Sequence, residues 1–265
     1  MNTILSSKRN HIIHAVCLAV FVIMVVVTVW QIGGSATVAM TNNLGMAVFE
    51  VLTVVLALVY WKTISNRKEA SQIWLLLSLG FLCSVVADSI WIFYNLKGIE
   101  APYPSVADPL WVLGYLFQLA ALVNRNRLLG VWPGKKQIAL VLAIALVSFV
   151  LLFAFVLSPM LDETGTTRAI ETLFNFSYPI IDFLILIAAC FLVVSMWKGQ
   201  LSITWNVIAF GFLVQSLADI FFIDASWKGL YYPNDTVNLI SCLIDIAYGV
   251  GCMAIVVGVS LRQAA

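Results

Sequence analysis

The sequence predicts an all-α, polytopic membrane bundle of about eight transmembrane helices, and three observations carry that prediction. Hydrophobic residues make up 62% of the chain and charged residues only 10%, where soluble domains hold about a quarter charged. The apolar residues gather in long runs, such as His14 to Trp30, Ile138 to Leu157 and Ile180 to Trp197. About 20 such residues cross a bilayer as helix. The runs are continuous rather than alternating, which excludes a closed barrel, the other way to pair every backbone group in lipid.

Taken in order, the predicted spans are 11–31, 44–62, 71–95, 109–124, 136–158, 170–197, 203–224 and 237–261. The first follows Lys8 and Arg9. Small residues from Ala36 to Ala39 hint at signal cleavage, but an uncleaved first span is preferred because it completes the repeat described below. The third carries Ala87-Asp88. The fourth opens on Asp108-Pro109, which reads as an N-cap with proline at the first helical position. The sixth contains Pro179, which frees a carbonyl and is expected to kink the span. Connections are short, so no soluble domain lies between spans. Only four residues follow Leu261, and no cytoplasmic output domain is expected.

Lysine and arginine mark the cytoplasmic side. With the N-terminus inside, 11 of the 14 cations fall inside: Lys8, Arg9, Lys62, Arg67, Lys68, Arg125, Arg127, Lys135, Lys136, Lys198 and Arg262. Only Lys97, Arg168 and Lys228 fall outside. Both termini are expected inside, in a cell (inner, cytoplasmic) membrane.

The chain also reads as two copies of one four-helix unit, 1–130 and 131–265. Gly80-Phe81-Leu82 through Ala87-Asp88 matches Gly211-Phe212-Leu213 through Ala218-Asp219, at an offset of 131. Lys97-Gly98 matches Lys228-Gly229, and Tyr103-Pro104 is answered by Tyr232-Pro233. Asn43 and Glu50 match Asn175 and Asp182 at offset 132, and Tyr115 matches Tyr248 at offset 133. Four spans per unit make the copies parallel, as a 4+4 repeat about an axis along the membrane normal.

Five acids fall inside predicted spans: Glu50, Asp88, Asp182, Asp219 and Asp245. Intramembrane acids are costly and mark sites, and no cation shares these stretches. At 1.5 Å per residue they lie roughly 8 to 18 Å below the outer surface. Polar neighbours accompany them at helical spacing. Glu171, Asn175, Tyr178 and Asp182 share one face, as do Asn238, Ser241, Asp245 and Tyr248. Gln215 precedes Asp219 by one turn, Ser84 precedes Asp88, and Asn43, Glu50 and Thr53 form a stripe. The candidate ligand-binding residues are therefore Glu50, Asp88, Asp182, Asp219, Asp245, Tyr115, Tyr178, Tyr248, Gln215 and Asn175. The competing reading makes each acid protonated glue between helices. Asp162 and Glu163 read as solvated loop charges.

Other residue classes narrow the choices. The nine tryptophans (Trp30, Trp61, Trp74, Trp91, Trp111, Trp132, Trp197, Trp205 and Trp227) fall near predicted span ends and read as an aromatic belt. Five cysteines sit in apolar runs without CxxC spacing and read as packing residues. His11 and His14 read as interfacial anchors. HExxH, GxSxG, P-loop and dinucleotide signatures are absent from the sequence, so the reading leans away from an enzyme. A carboxylate site suits a hard cation, or an organic cation held by acids and aromatic faces. No cofactor or particular metal is named by the residues.

The stretch Ala87-Asp88, Tyr103-Pro104-Ser105-Val106-Ala107-Asp108-Pro109, Leu110 and Gly114-Tyr115 resembles the integral-membrane sensor regions of prokaryotic signalling proteins, the kind N-terminal to GGDEF, EAL or histidine-kinase domains. The match covers about 35 residues of the first unit. In the second, Tyr232-Pro233 persists but the loop Asp and the Gly-Tyr order do not. The resemblance implies a sensing or ligand-binding module. Three functions stand side by side: a sensory module with an acidic pocket open to the outer face, a small-molecule or cation transporter with tandem repeats, and a membrane lipid-modifying enzyme. The lipid bilayer is the expected partner and nucleic acid is not, given a net charge of +1. A signalling partner at the cytoplasmic ends and a homo-oligomer are left open.

Overall fold

The computed structural model describes residues 2–99, 102–130, 133–162, 169–195 and 202–261. Arg168, Lys198, Arg262, Trp132, Trp197 and Glu163, singled out above, lie outside the described residues. The described chain is all-α: α1 (Asn2–Val29), α2 (Gly34–Thr63), α3 (Lys68–Lys97), α4 (Asp108–Leu128), α5 (Lys135–Leu152), α6 (Ser158–Asp162), α7 (Ala169–Ser195), α8 (Ser202–Trp227) and α9 (Leu239–Leu261). A π turn at Phe153–Leu157 joins α5 to α6, so nine labels describe eight rods. The π turn has a local cause: Pro159 has no N–H to offer the carbonyl four residues back, and its ring crowds that carbonyl.

Seven rods are long and apolar enough to cross a membrane: α1, α2, α3, α5 with α6, α7, α8 and α9. The chain is therefore a multi-pass membrane protein. The eighth rod, α4, is 21 residues long but carries Asp108, Gln118, Asn124 and Asn126, with Arg125 and Arg127 in its last turn. Its polarity sets it apart, and it packs against α3 and α7.

One boundary differs from expectation in a way that matters for the site. The sequence suggests a loop before residue 44, yet α2 begins at Gly34. Gly33 and Gly34 hold φ of 78° and 81°, so the reversal from α1 is completed there. The small residues at 36–39 form the first turns of α2, and Asn42 and Asn43 become helical residues facing the bundle.

Glycines set the closest helix contacts. A methyl group on Gly80 would stand 3.0 Å from the Gly114 carbonyl, and one on Gly114 would stand 2.9 Å from the Gly80 carbonyl. The α8–α9 contact repeats this arrangement: 2.7 Å from Gly211 to the Gly251 carbonyl, and 3.0 Å in return. Small residues let backbones approach where lipid gives helices no hydrophobic reason to associate. Around these pairs, α2 packs on α3 and α9, α7 packs on α8 and α4, α1 packs on α2 and α9, and α5 packs on α7.

The half of the bundle around the α2–α3 turn is apolar and filled. Tyr60, Trp74 and Trp205 stack with ring centroids 5.1 and 5.0 Å apart, and Phe81 meets Phe212 at 6.1 Å. Leu77, Leu122, Ile185, Ile208 and Ile255 complete the plug, all fully buried or nearly so. Trp74 and Trp205 therefore belong to the core, not to an aromatic belt, whereas Trp30 is 69% exposed. Arg125 lies over the Trp205 ring at 5.1 Å. Polar bonds fasten α1 along α9. Asn10 Nδ2 donates to the Ser260 carbonyl (3.1 Å), and Gln31 Nε2 donates to the Val237 carbonyl (3.1 Å). His14 Nε2 bonds Ser260 Oγ at 2.7 Å. The Ser260 hydroxyl already donates to the Val257 carbonyl, so the imidazole N–H is the donor.

Candidate functional site

A cavity of about 960 Å³ lies above the aromatic plug, between α2, α3, α4, α7, α8 and α9 and the loop after α8. Nine of the ten candidate residues line it: Glu50, Asp88, Tyr115, Asn175, Tyr178, Gln215, Asp219, Asp245 and Tyr248. Asp182 does not. It is 1% exposed and sits one turn below Tyr178, behind the wall and beside Asp219. Asp108 and Glu171 add two further carboxylates to the lining, and among the described residues no Lys, Arg or His lines it.

Each carboxylate is positioned differently. Asp88 Oδ1 accepts from Trp111 Nε1 at 2.8 Å, and the Glu50 carboxyl lies within hydrogen-bond reach of Asp88. Asp219 Oδ1 accepts from Tyr115 at 3.3 Å, a contact from α4 to α8. Asp245 is 2% exposed and fully clasped. Its Oδ1 accepts from Tyr231 at 2.7 Å, and its Oδ2 accepts from Tyr232 at 2.6 Å and Asn42 at 2.9 Å. Asn42 is itself held by Thr28 of α1. In the loop, burial first and the Asp245 charge second push the Tyr231 and Tyr232 phenols above their ordinary value.

Asp108 is a correction. The cap position belongs to Ala107, and no side chain caps α4. Asp108 Oδ2 instead accepts from the Ser105 N–H (2.6 Å) and hydroxyl (2.8 Å), while Oδ1 accepts from Tyr178 (2.7 Å). With Pro109 next to it, the carboxylate turns back to the preceding loop and inward to the cavity. Tyr103 donates to Asn175 Oδ1, which ties that loop to α7. The predicted stripes also lose members. Thr53 is 1% exposed and satisfies itself on the Phe49 carbonyl. Asn238 caps the start of α9, accepting from the Ser241 N–H at 2.8 Å.

Sequence reasoning missed several lining residues. Trp91, Trp111 and Trp227, read as belt residues, line the cavity. A tryptophan near a span end gives no signal of which way it points. Asn42 was hidden by the expected loop, and Tyr231 by its place beside the Tyr-Pro motif. Cys252, read as packing, also reaches the lining.

Three acceptor oxygens in the lining find no hydrogen-bond partner among the described residues: Glu50 Oε2, Gln215 Oε1 and Asp219 Oδ2. Their side chains are 5%, 7% and 6% exposed. A buried acceptor without a donor is costly. Among the described residues, no three His, Cys, Asp or Glu side chains converge closely enough to hold a metal ion. The arrangement can concentrate positive charge and supply acceptors and aromatic faces.

No protein-family model, curated protein or solved structure matches this chain.

Proposed function

We propose that the chain is a membrane-integral sensory module that binds a cationic ligand in a cavity open to the outer face. One observation carries the reading: carboxylates from α2, α3, α4, α8 and α9 line a single cavity, with no Lys, Arg or His beside them in the lining among the described residues. Buried negative charge is expensive unless compensated. The glue reading requires the acids to be dispersed into separate helix contacts, and here Glu50, Asp88, Asp219 and Asp245 share one space, with only Asp182 set behind the wall. The filled plug beneath, with Phe81 on Phe212 and Trp74 on Trp205, favours a binding chamber over a transport path.

The tandem 4+4 repeat belongs to the same proposal. Trp74 and Trp205, and Phe81 and Phe212, are pairs at offset 131, and each pair is in mutual contact. A residue touches its own counterpart only near a twofold axis. The reciprocal packing of α2 on α9 and of α4 on α7 supports the same axis. For the fourth helices the glycine contacts favour offset 137, pairing Gly114 with Gly251 and Asp108 with Asp245, over the offset of 133 that pairs Tyr115 with Tyr248. Both termini are taken as inside, in the cell membrane. The residues that carry the resemblance to prokaryotic sensor regions, Asp88, Tyr103, Asp108 and Tyr115, all line the cavity.

The test is thermal unfolding of the parent and of the Asp88→Asn, Asp219→Asn double variant against a panel of metal and organic cations. Ligand binding to the folded state raises apparent stability. Saturable stabilisation by a cation, lost in the double variant, is expected. A parent indifferent to every cation would sink the proposal.

A further inference from the structure

We infer that the ligand is a linear organic amine with two or more primary or secondary ammonium groups, an inference that rests on reading the cavity as a cation site. The first support is the kind of group left unpaired. Glu50 Oε2, Gln215 Oε1 and Asp219 Oδ2 are all acceptors, all more than nine-tenths buried, and all on the cavity wall. They call for N–H donors. A quaternary ammonium has none and would leave them unpaired.

The second support is the division of labour among the acids. Asp245 and Asp108 already receive three bonds each, and every one of those donors is neutral. Their charge is held in place but not cancelled. They supply field, while Glu50 and Asp219 keep open oxygens for direct contact. Glu50 lies on α2 and Asp219 on α8, and Glu50 is joined by Asp88 of α3. The lining carries the carboxylates of Glu50, Asp88, Asp108, Asp219 and Asp245, and a chain with two or more ammonium groups offsets more of that charge than a single small cation does.

The third support is size and surface. A cavity of about 960 Å³ is far larger than a metal ion needs, since oxygen ligands must close to about 2.0–2.6 Å. No three metal-ligating side chains converge to that degree among the described residues. Trp91 and Trp111 form a tilted pair 5.9 Å apart, and Phe222, Tyr231 and Tyr232 form edge contacts of 4.8 and 4.7 Å. Such faces cover methylene segments and attract ammonium groups.

The experiment is equilibrium binding of spermidine to the full chain in nanodiscs of zwitterionic lipid, in competition with putrescine, tetramethylammonium and magnesium. Spermidine is expected to bind saturably, with putrescine competing and tetramethylammonium and magnesium weaker by at least tenfold. Glu50→Gln and Asp219→Asn should each weaken spermidine at least tenfold, and Glu69→Gln, at the far end of α3, should leave it unchanged. Comparing cations on the parent protein needs no variant to fold. Tighter binding of tetramethylammonium or magnesium than of spermidine overturns the amine inference and leaves the cation cavity standing. Absence of binding by any of these cations overturns both.

Discussion

Removing the clasp on Asp245 tests whether a buried charge organises the loop after α8. Oδ1 has one donor, Tyr231 at 2.7 Å, whereas Oδ2 has two, Tyr232 at 2.6 Å and Asn42 at 2.9 Å. A hydrogen bond to a charged group contributes about 1.5–3 kcal/mol, and an orphaned buried acceptor carries its desolvation penalty besides. Tyr231→Phe strips Oδ1 of its donor and should destabilise by about 2–3 kcal/mol. Tyr232→Phe leaves Asn42 in place on Oδ2 and should cost about 1–2 kcal/mol. The order of the two variants is therefore part of the prediction. Reversible unfolding in detergent, read by tryptophan fluorescence, gives the values. Repeating both changes in an Asp245→Asn background closes a double-mutant cycle, in which coupling of at least about 1 kcal/mol is expected. Equal costs in the two backgrounds would refute the reasoning, because the phenols would then be acting through packing alone.

Three further outcomes follow from the same geometry. Gly211→Ala places a methyl 2.7 Å from the Gly251 carbonyl. Overpacking costs about 1–3 kcal/mol and helix propensity returns about 1, so a net loss of up to about 2 kcal/mol is expected. Gly249→Ala meets only the ends of Met24 and Phe21 at 3.2 Å and should be near neutral; equal losses in the two would contradict the account. The raised phenols of Tyr231 and Tyr232 stay protonated in the folded chain after they ionise in the unfolded one. Their contribution is thus complete below pH ~10 and falls above it, by at most about 1.4 kcal/mol per pH unit for each. Unfolding followed from about pH 8 to 11 should show that fall, reduced in the doubly Phe-substituted chain, and a flat profile would exclude it. Finally, single cysteines at Lys97 and Lys228 should react with an impermeant thiol reagent applied outside intact cells. Labelling of both only after lysis would reverse the orientation.

The membrane class was legible because lipid imposes one simple demand, about 20 apolar residues per span, and seven of the eight described rods meet it, while α4, expected as the span 109–124, does not. The acids were legible for the converse reason: each is an exception that hydrocarbon does not tolerate without cause. What a one-dimensional pattern cannot carry is direction. Asp108 looked like a cap and turned to the cavity, whereas Asn238 looked like a wall residue and caps α9. Both sit at a helix start, where a short polar side chain can turn either to the backbone or away from it. Trp111 and Trp74 show the same ambiguity in larger residues, one bonded to Asp88 and the other in the core. Asp182 continued a polar face for one turn more than the cavity does. Spacing fixes the face of a helix but not where the neighbouring helices close over it.

The fastening of α1 to α9 bears on how the protein is made. Asn10 and Ser260, joined by a hydrogen bond, are 250 residues apart, and the Asn42–Asp245 bond spans 203. During synthesis the first helix is threaded into the bilayer long before its partner leaves the ribosome. Until then Asn10 and His14 lack their Ser260 acceptors, and Asn42 lacks Asp245. Polar groups so placed invite other partners or chaperones in the meantime. Docking of α1 on α9 is accordingly a late event, with contacts of high sequence separation forming last. A nascent chain interrupted before α9 would hold a half-built acidic chamber and an untethered first helix, the kind of intermediate that membrane quality control removes.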